Sequence, residues 1–321
     1  MGNNNKQLRF FRVLVFISLL LTLVAVVLSA HIRLGGIGLG CGDWPHCFGQ
    51  IPVASATDTI PTTLAGVAHR VTASLLGLLV MVISVLAIRY RGQTGTGLSV
   101  PLLAFILIVF LSVLGFNTPA WQAPAVTLGN LVGGMALLAL LWWMGQRSLT
   151  GEAVTANTGG TFRPWVLVGV AVITLQIGLG AWTSANFAGP ACSLPACTQD
   201  WMSLSQLLQG FDLTRRLAVD GQGRIIVDST QATLHMAHRI GAPLTLLYIG
   251  GLAVIILRKH KPLRSTCVAI LFLLLAQSSF GVTAIMTELP LLLVTAHNAV
   301  AALLLLAIVN LLHRLTPKSI N

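Results

Sequence analysis

Carboxylates are nearly missing from this chain. Only eight of 321 residues are Asp or Glu, and charged residues together make up 8%. A soluble globule carries about 25%. So few charges cannot cover a water-facing surface, which excludes a soluble domain. Disorder is excluded too, because 55% of the residues are hydrophobic and the mean hydropathy is +0.86; disordered chains lack such apolar content. The formal net charge of +11 reflects missing acids as much as added bases. The bases lie scattered at the ends of apolar runs. That pattern argues for a lipid bilayer as partner and against nucleic acid.

What is present is a series of long apolar runs. A membrane helix needs about 20 mostly apolar residues. Eight segments qualify, at about 12–32, 63–88, 98–116, 124–145, 164–184, 231–257, 266–287 and 290–312. Barrel strands are about half as long and alternate, so these runs predict an all-α membrane protein with eight transmembrane helices. The basic residues Lys6, Arg9, Arg12, Arg89, Arg91, Arg147, Arg163, Arg258, Lys259, Lys261, Arg264, Arg314 and Lys318 fall on one side of eight spans. That side is read as cytoplasmic, with both termini cytoplasmic in the inner (plasma) membrane. The first run lacks a small-residue cleavage site and is read as a retained helix.

The chain also repeats itself. Ala30 is followed by Cys41 and Cys47, and Ala181 by Cys192 and Cys197, with eleven residues from each Ala to its first Cys. Ala68-His69-Arg70 matches Ala237-His238-Arg239. Ser112 to Gly115 resembles Ser278 to Gly281, and Asn130 falls where His297 falls. Four spans per half give both halves one orientation, a parallel repeat. The expected organisation is two pseudo-symmetric four-helix bundles, 1–150 and 164–321, joined by a cytoplasmic linker at 151–163.

Polar residues inside a membrane are costly and point to function. His69, His238 and His297 each lie roughly 10–12 Å below the outer ends of their helices, at 1.5 Å per residue. His238 and His297 share a depth and a bundle. Two imidazoles on different helices suit the axial positions of a haem iron; an interhelical hydrogen-bonding pair is the other reading. His69 has no such partner, because Asn130 stands at the equivalent place. His31 reads as interfacial or as a replacement ligand. His235 lies one turn before His238, on the same face, suited to a supporting or propionate contact. Arg33, Arg70 and Arg239 lie toward the outer side, against the charge trend. Their forks can bind carboxylates such as haem propionates, or the side chains can reach lipid headgroups. The cysteines Cys41, Cys47, Cys192 and Cys197 lie in two outer loops. Pairing within each loop fits an oxidising compartment, while the spacing leaves a shared zinc site or a redox pair open.

Over nearly its whole length the sequence resembles the heme A synthases of bacteria and mitochondria. The strongest stretch runs from Ala30-His-Ile-Arg33 through Gly38-Leu-Gly-Cys41-Gly-Asp43-Trp44-Pro45-His-Cys47-Phe-Gly49. The two His-Arg dipeptides and His297 match as well. The resemblance implies conversion of heme O to heme A by oxidation of a ring methyl to a formyl group, in heme A biosynthesis for terminal oxidases. It implies haem b on His238 and His297, heme O in the amino-terminal bundle, and disulfides Cys41–Cys47 and Cys192–Cys197. Heme O synthase and oxidase assembly factors are the implied partners. Two departures stand out. Gly66 replaces a glutamate three residues before His69, and Asn130 replaces the second amino-terminal histidine, so no catalytic residue is assigned. A carboxylate one turn from His69 would move protons or stabilise a cation during the oxidation. Two readings follow. In one, a divergent synthase holds the substrate iron on His69 alone. In the other, a haem b-binding paralogue without synthase chemistry serves electron transfer, haem handling or oxidase assembly. A transporter is a third class; no matching pair of Gly/Pro-broken helices supports it.

Overall fold

A computed structural model describes residues 2–36, 64–90, 94, 96–116, 123–149, 160–192, 197, 201–218, 220, 225–226 and 228–316. Nine α-helices account for most of them. They are α1 (Gly2–Gly36), α2 (Leu64–Arg89), α3 (Ser99–Phe116), α4 (Pro124–Leu149), α5 (Arg163–Ala185), α6 (Leu204–Gly210), α7 (Ser229–Lys259), α8 (Arg264–Met286) and α9 (Leu291–Arg314). Seven are long and apolar enough to cross a membrane: α1, α2, α4, α5, α7, α8 and α9. The eighth expected span, α3, is apolar but shorter. Its 18 residues rise about 27 Å, just under a hydrocarbon core of about 30 Å.

Helix contacts close two rings. In the first, α1 packs on α2 and α4, and α3 packs on the same two helices. In the second, α5 packs on α7 and α9, and α8 packs on the same two. The rings meet through α4 against α5 and α9, and through α1 against α9. Side-chain bonds show which helix ends meet. The Arg12 guanidinium donates to the Ser148 carbonyl, capping the open end of α4. Ser84 Oγ donates to the Pro101 carbonyl at 3.1 Å. Gln146 Nε2 donates to Asn310 Oδ1 at 2.6 Å, and Arg314 Nη1 to Thr266 Oγ1 at 3.2 Å. These contacts gather the basic helix ends at one pole, called the basic pole here. At the opposite pole, Thr183 Oγ1 donates to the Leu234 carbonyl, and the Arg33 guanidinium donates to Ser184 Oγ across the two rings.

The apolar core lies toward the basic pole. In the first ring it includes Phe11, Val15, Val80, Ile83, Ala104, Leu141 and Met144. In the second it includes Val166, Ile249, Ile256, Cys267, Ile270 and Ile308. A smaller cap at the far pole packs Trp182, Ala188 and Leu234. Between core and cap, residues 174–180, 236–244, 275–283 and 296–301 contain no fully buried residue. His238 and His297 lie in this layer. In the first ring α2 and α3 have no fully buried residue over 64–75 and 109–115, whereas α1 and α4 keep Ala25, Val26, Ala30, Leu131 and Gly133 buried at the matching levels.

Candidate functional site

His238 of α7 and His297 of α9 both lie in the layer of the second ring between core and cap. α7 starts from a built cap. The Asp228 carboxylate accepts from the backbone N–H of Thr230 and Gln231, and Gln231 Oε1 accepts from the Asp228 N–H. This reciprocal capping box fixes where α7 begins, and so fixes the depth of His238. Pro290 starts α9 and sets the depth of His297 in the same way.

Each ring rests on a neighbouring helix. Gln176 Nε2, from α5, lies 3.1 Å from His238 Nδ1 and donates to the His238 carbonyl at 3.0 Å. Gln277 Nε2, from α8, lies 3.0 Å from His297 Nε2. A Cβ on Gly180 would stand 2.9 Å from His238 Cε1, and one on Gly281 would stand 3.0 Å from His297 Cε1. Both glycines therefore leave room for an imidazole that any larger residue would displace. Gln176 Oε1, Gln277 Oε1 and His297 Nδ1 are buried without a hydrogen-bond partner among the described residues. Buried polar atoms are normally paired; of these three, Gln176 Oε1 packs against the Gly241 backbone of α7. Two neutral imidazoles fit the axial positions of a haem iron. Among the described residues no three His, Cys, Asp or Glu side chains gather as they would around a bare metal ion.

The remaining expected residues are placed as follows. His235 is buried, and its Nε2 accepts from Arg239 Nε at 3.2 Å. Arg239 Nη2 donates to the Cys192 carbonyl at 2.7 Å. Cys192 and Cys197 form a disulfide, so Arg239 ties that loop to the histidine helix. Cys41 and Cys47 lie outside the described residues. Arg33 bonds to Ser184, and its Nε and Nη2 are buried without a partner among the described residues. Arg70 is exposed, and His69 and His31 are half-buried.

In the first ring, His69 lies on α2 and Asn130 on α4. Gly115, which matches Gly281, has nothing within 4 Å of where its Cβ would be. In the second ring a histidine fills that place. Gly129 and Gly133 of α4 pack instead against Leu114 and Leu111 of α3, each at 2.7 Å from a built Cβ. Gly115 is exposed, and among the described residues no histidine lies over it as His297 lies over Gly281.

Gln176 and Gln277 are absent from the residues that spacing singled out. One Gln in an apolar helix reads as an ordinary interhelical hydrogen bond. The missed signal is its recurrence, four residues before a glycine on two helices. α6 was missed as well, although Ser203 and Gln206 form a capping box before it.

Comparison with known proteins gives a consistent set of matches. The COX15-CtaA family model, described as cytochrome oxidase assembly protein, matches residues 12–309. A Shewanella oneidensis protein named heme A synthase is 32% identical, over 94% of this chain and 96% of the relative. Proteins of that name from Geobacillus kaustophilus and Halalkalibacterium halodurans are 23% and 24% identical. They cover 91% and 94% of this chain, and 86% and 94% of their own lengths.

Proposed function

The chain belongs to the COX15-CtaA family of cytochrome oxidase assembly proteins, and from that membership we propose that it acts in heme A biosynthesis as a heme A synthase. Heme O is the substrate, and the reaction converts a methyl group of its ring to a formyl group. The observation that carries this reading is the full-length match to a relative of that name. Eight spans in two parallel four-helix bundles, 1–150 and 164–321, form the scaffold. The contact pattern supports the repeat, because α4 and α9 meet each other while α1 meets α9 as α5 meets α4. The basic pole is the cytoplasmic side, with N-in and C-in orientation.

In the second bundle His238 and His297 would hold haem b. Bound there, haem b supplies one-electron redox chemistry. Arg33 offers buried guanidinium nitrogens to a carboxylate such as a propionate, a contact for which its fork is suited. Arg239 and His235 hold each other and the Cys192 carbonyl, keeping the outer end of α7 in place beside the haem edge. In the first bundle His69 would bind the iron of the substrate, and the guanidinium of the neighbouring Arg70 would suit a carboxylate such as a propionate.

Pigment extraction tests the reading. The full chain is expressed with a source of heme O, and its haems are extracted and separated. Heme A, or the alcohol on the way to it, is the expected product. Bound haem b with neither product overturns the synthase assignment.

A further inference from the structure

α6 turns its apolar stripe away from the protein. Leu204, Leu207 and Leu208, with Phe211 at the end of the helix, stand three and four residues apart on one face. In a water-soluble fold a stripe of that spacing packs on the core. Here all four side chains are exposed, Leu204 at 71% and Leu208 at 67%. Met202 and Leu213, on either side, are exposed as well. The face that α6 turns inward carries Gln206 and Gly210 instead. No Lys, Arg, Asp or Glu stands between Trp201 and Phe211. A contiguous apolar patch of this kind marks an interaction surface.

Its attachment places that patch. At one end Thr233 Oγ1 donates to the Trp201 carbonyl at 2.9 Å. At the other, Trp182 Nε1 donates to the Gly210 carbonyl at 2.7 Å, and a Cβ on Gly210 would stand 3.1 Å from both Thr230 and Leu234. Both ends of α6 are thus tied between Thr230 and Leu234, about 6 Å of rise along α7. α6 therefore runs across α7 rather than along it. α7 has 31 residues and ends in Arg258 and Lys259 at the basic pole. It rises about 46 Å, the depth of a hydrocarbon core together with both headgroup layers, about 40–45 Å. Its first turns, and α6 with them, stand at headgroup level.

We propose that α6 is an interfacial helix whose Leu204, Leu207, Leu208 and Phe211 side chains enter the lipid leaflet at the pole opposite the bases. A helix lying in the membrane plane buries such a face in the boundary between headgroups and acyl chains. Ser205 and Gln209, exposed but off the stripe, remain among headgroups and water. The seat also sets a height. Through Thr230, Thr233 and Leu234 it fixes α7 in the bilayer, and His238 lies one turn past Leu234.

The test places a nitroxide on one introduced cysteine of the full chain, in vesicles of phosphatidylethanolamine and phosphatidylglycerol. The variants are Leu204→Cys, Leu208→Cys, Ser205→Cys and Gln209→Cys, and the unaltered protein treated alike is the blank. All four side chains are exposed, so a label displaces no packed neighbour. Relaxation of the label by oxygen is compared with relaxation by a water-soluble nickel chelate. The oxygen-to-chelate ratio is expected to be several-fold higher at 204 and 208 than at 205 and 209. Equal ratios at all four positions overturn the proposal, whether the helix stands in water or wholly in hydrocarbon. Labels at 204 and 208 shielded from both reagents overturn it too, because a partner protein or a second copy of this chain then covers the stripe.

Discussion

At Gly180 and Gly281 one hydrogen atom separates a fitting ring from a clash. A methyl added at either position meets an imidazole carbon at 2.9 or 3.0 Å, and the ring is boxed in by the glutamine one turn away. Gly180→Ala and Gly281→Ala are expected to cost about 1–3 kcal/mol, the usual range for overpacking, and to perturb the low-spin haem spectrum; thermal unfolding and absorption spectra check both. Gly66 and Asn130 pose the opposite case, side chains too small for the chemistry expected there. Replacing both, Gly66→Glu with Asn130→His, restores a carboxylate one turn from His69 and a ring above Gly115. Faster heme A formation is the expected outcome, measured as product per bound haem. A rate equal to or below that of the unaltered protein shows that these groups do not limit turnover. The histidines were legible in the sequence because a titratable residue within an apolar run has few structural excuses. The glutamines were less legible, since an uncharged amide in a membrane helix is common and only its pairing with glycine distinguishes it.

At the scale of elements, the apolar runs place most helix ends within one or two residues, while α1 extends well beyond the expected 12–32 at its start. α7 begins at Ser229, two residues before the expected apolar run, because Asp228 and Gln231 close a capping box around it. Asp228→Ala removes that cap and is expected to lower stability by about 1 kcal/mol, seen as a lower unfolding temperature with haem retained. The Arg215–Asp228 ion pair adds little, being partly exposed. α3, Ser99–Phe116, matches the expected run of 98–116 to within one residue. The Cys192–Cys197 bridge closes a small loop whose carbonyl receives Arg239. Cys192→Ser with Cys197→Ser is expected to cost about 2 kcal/mol by the loop-closure rule. A reductant should destabilise the unaltered protein by at least this amount in thermal unfolding, and should cost the double variant less by about the same difference.

At the scale of the whole molecule, a polar link joins the rings at each pole, Gln146 to Asn310 and Arg33 to Ser184. Charge asymmetry in the sequence carried the orientation, and the observed bonds gather the same bases at one pole. Single cysteines test the assignment: with an impermeant maleimide added to intact cells, Ser203→Cys is expected to label and Arg147→Cys to stay unlabelled until the membrane is opened. The reverse pattern overturns the orientation. The uneven packing has a consequence in time. Most apolar burial sits in the pole bearing the bases, so the helices can join there and hold before the histidine layer is filled. Pigment insertion is then a late event in the life of the chain, reversible on its own and separate from folding. A cell short of haem would accumulate finished, colourless protein rather than unfolded chain.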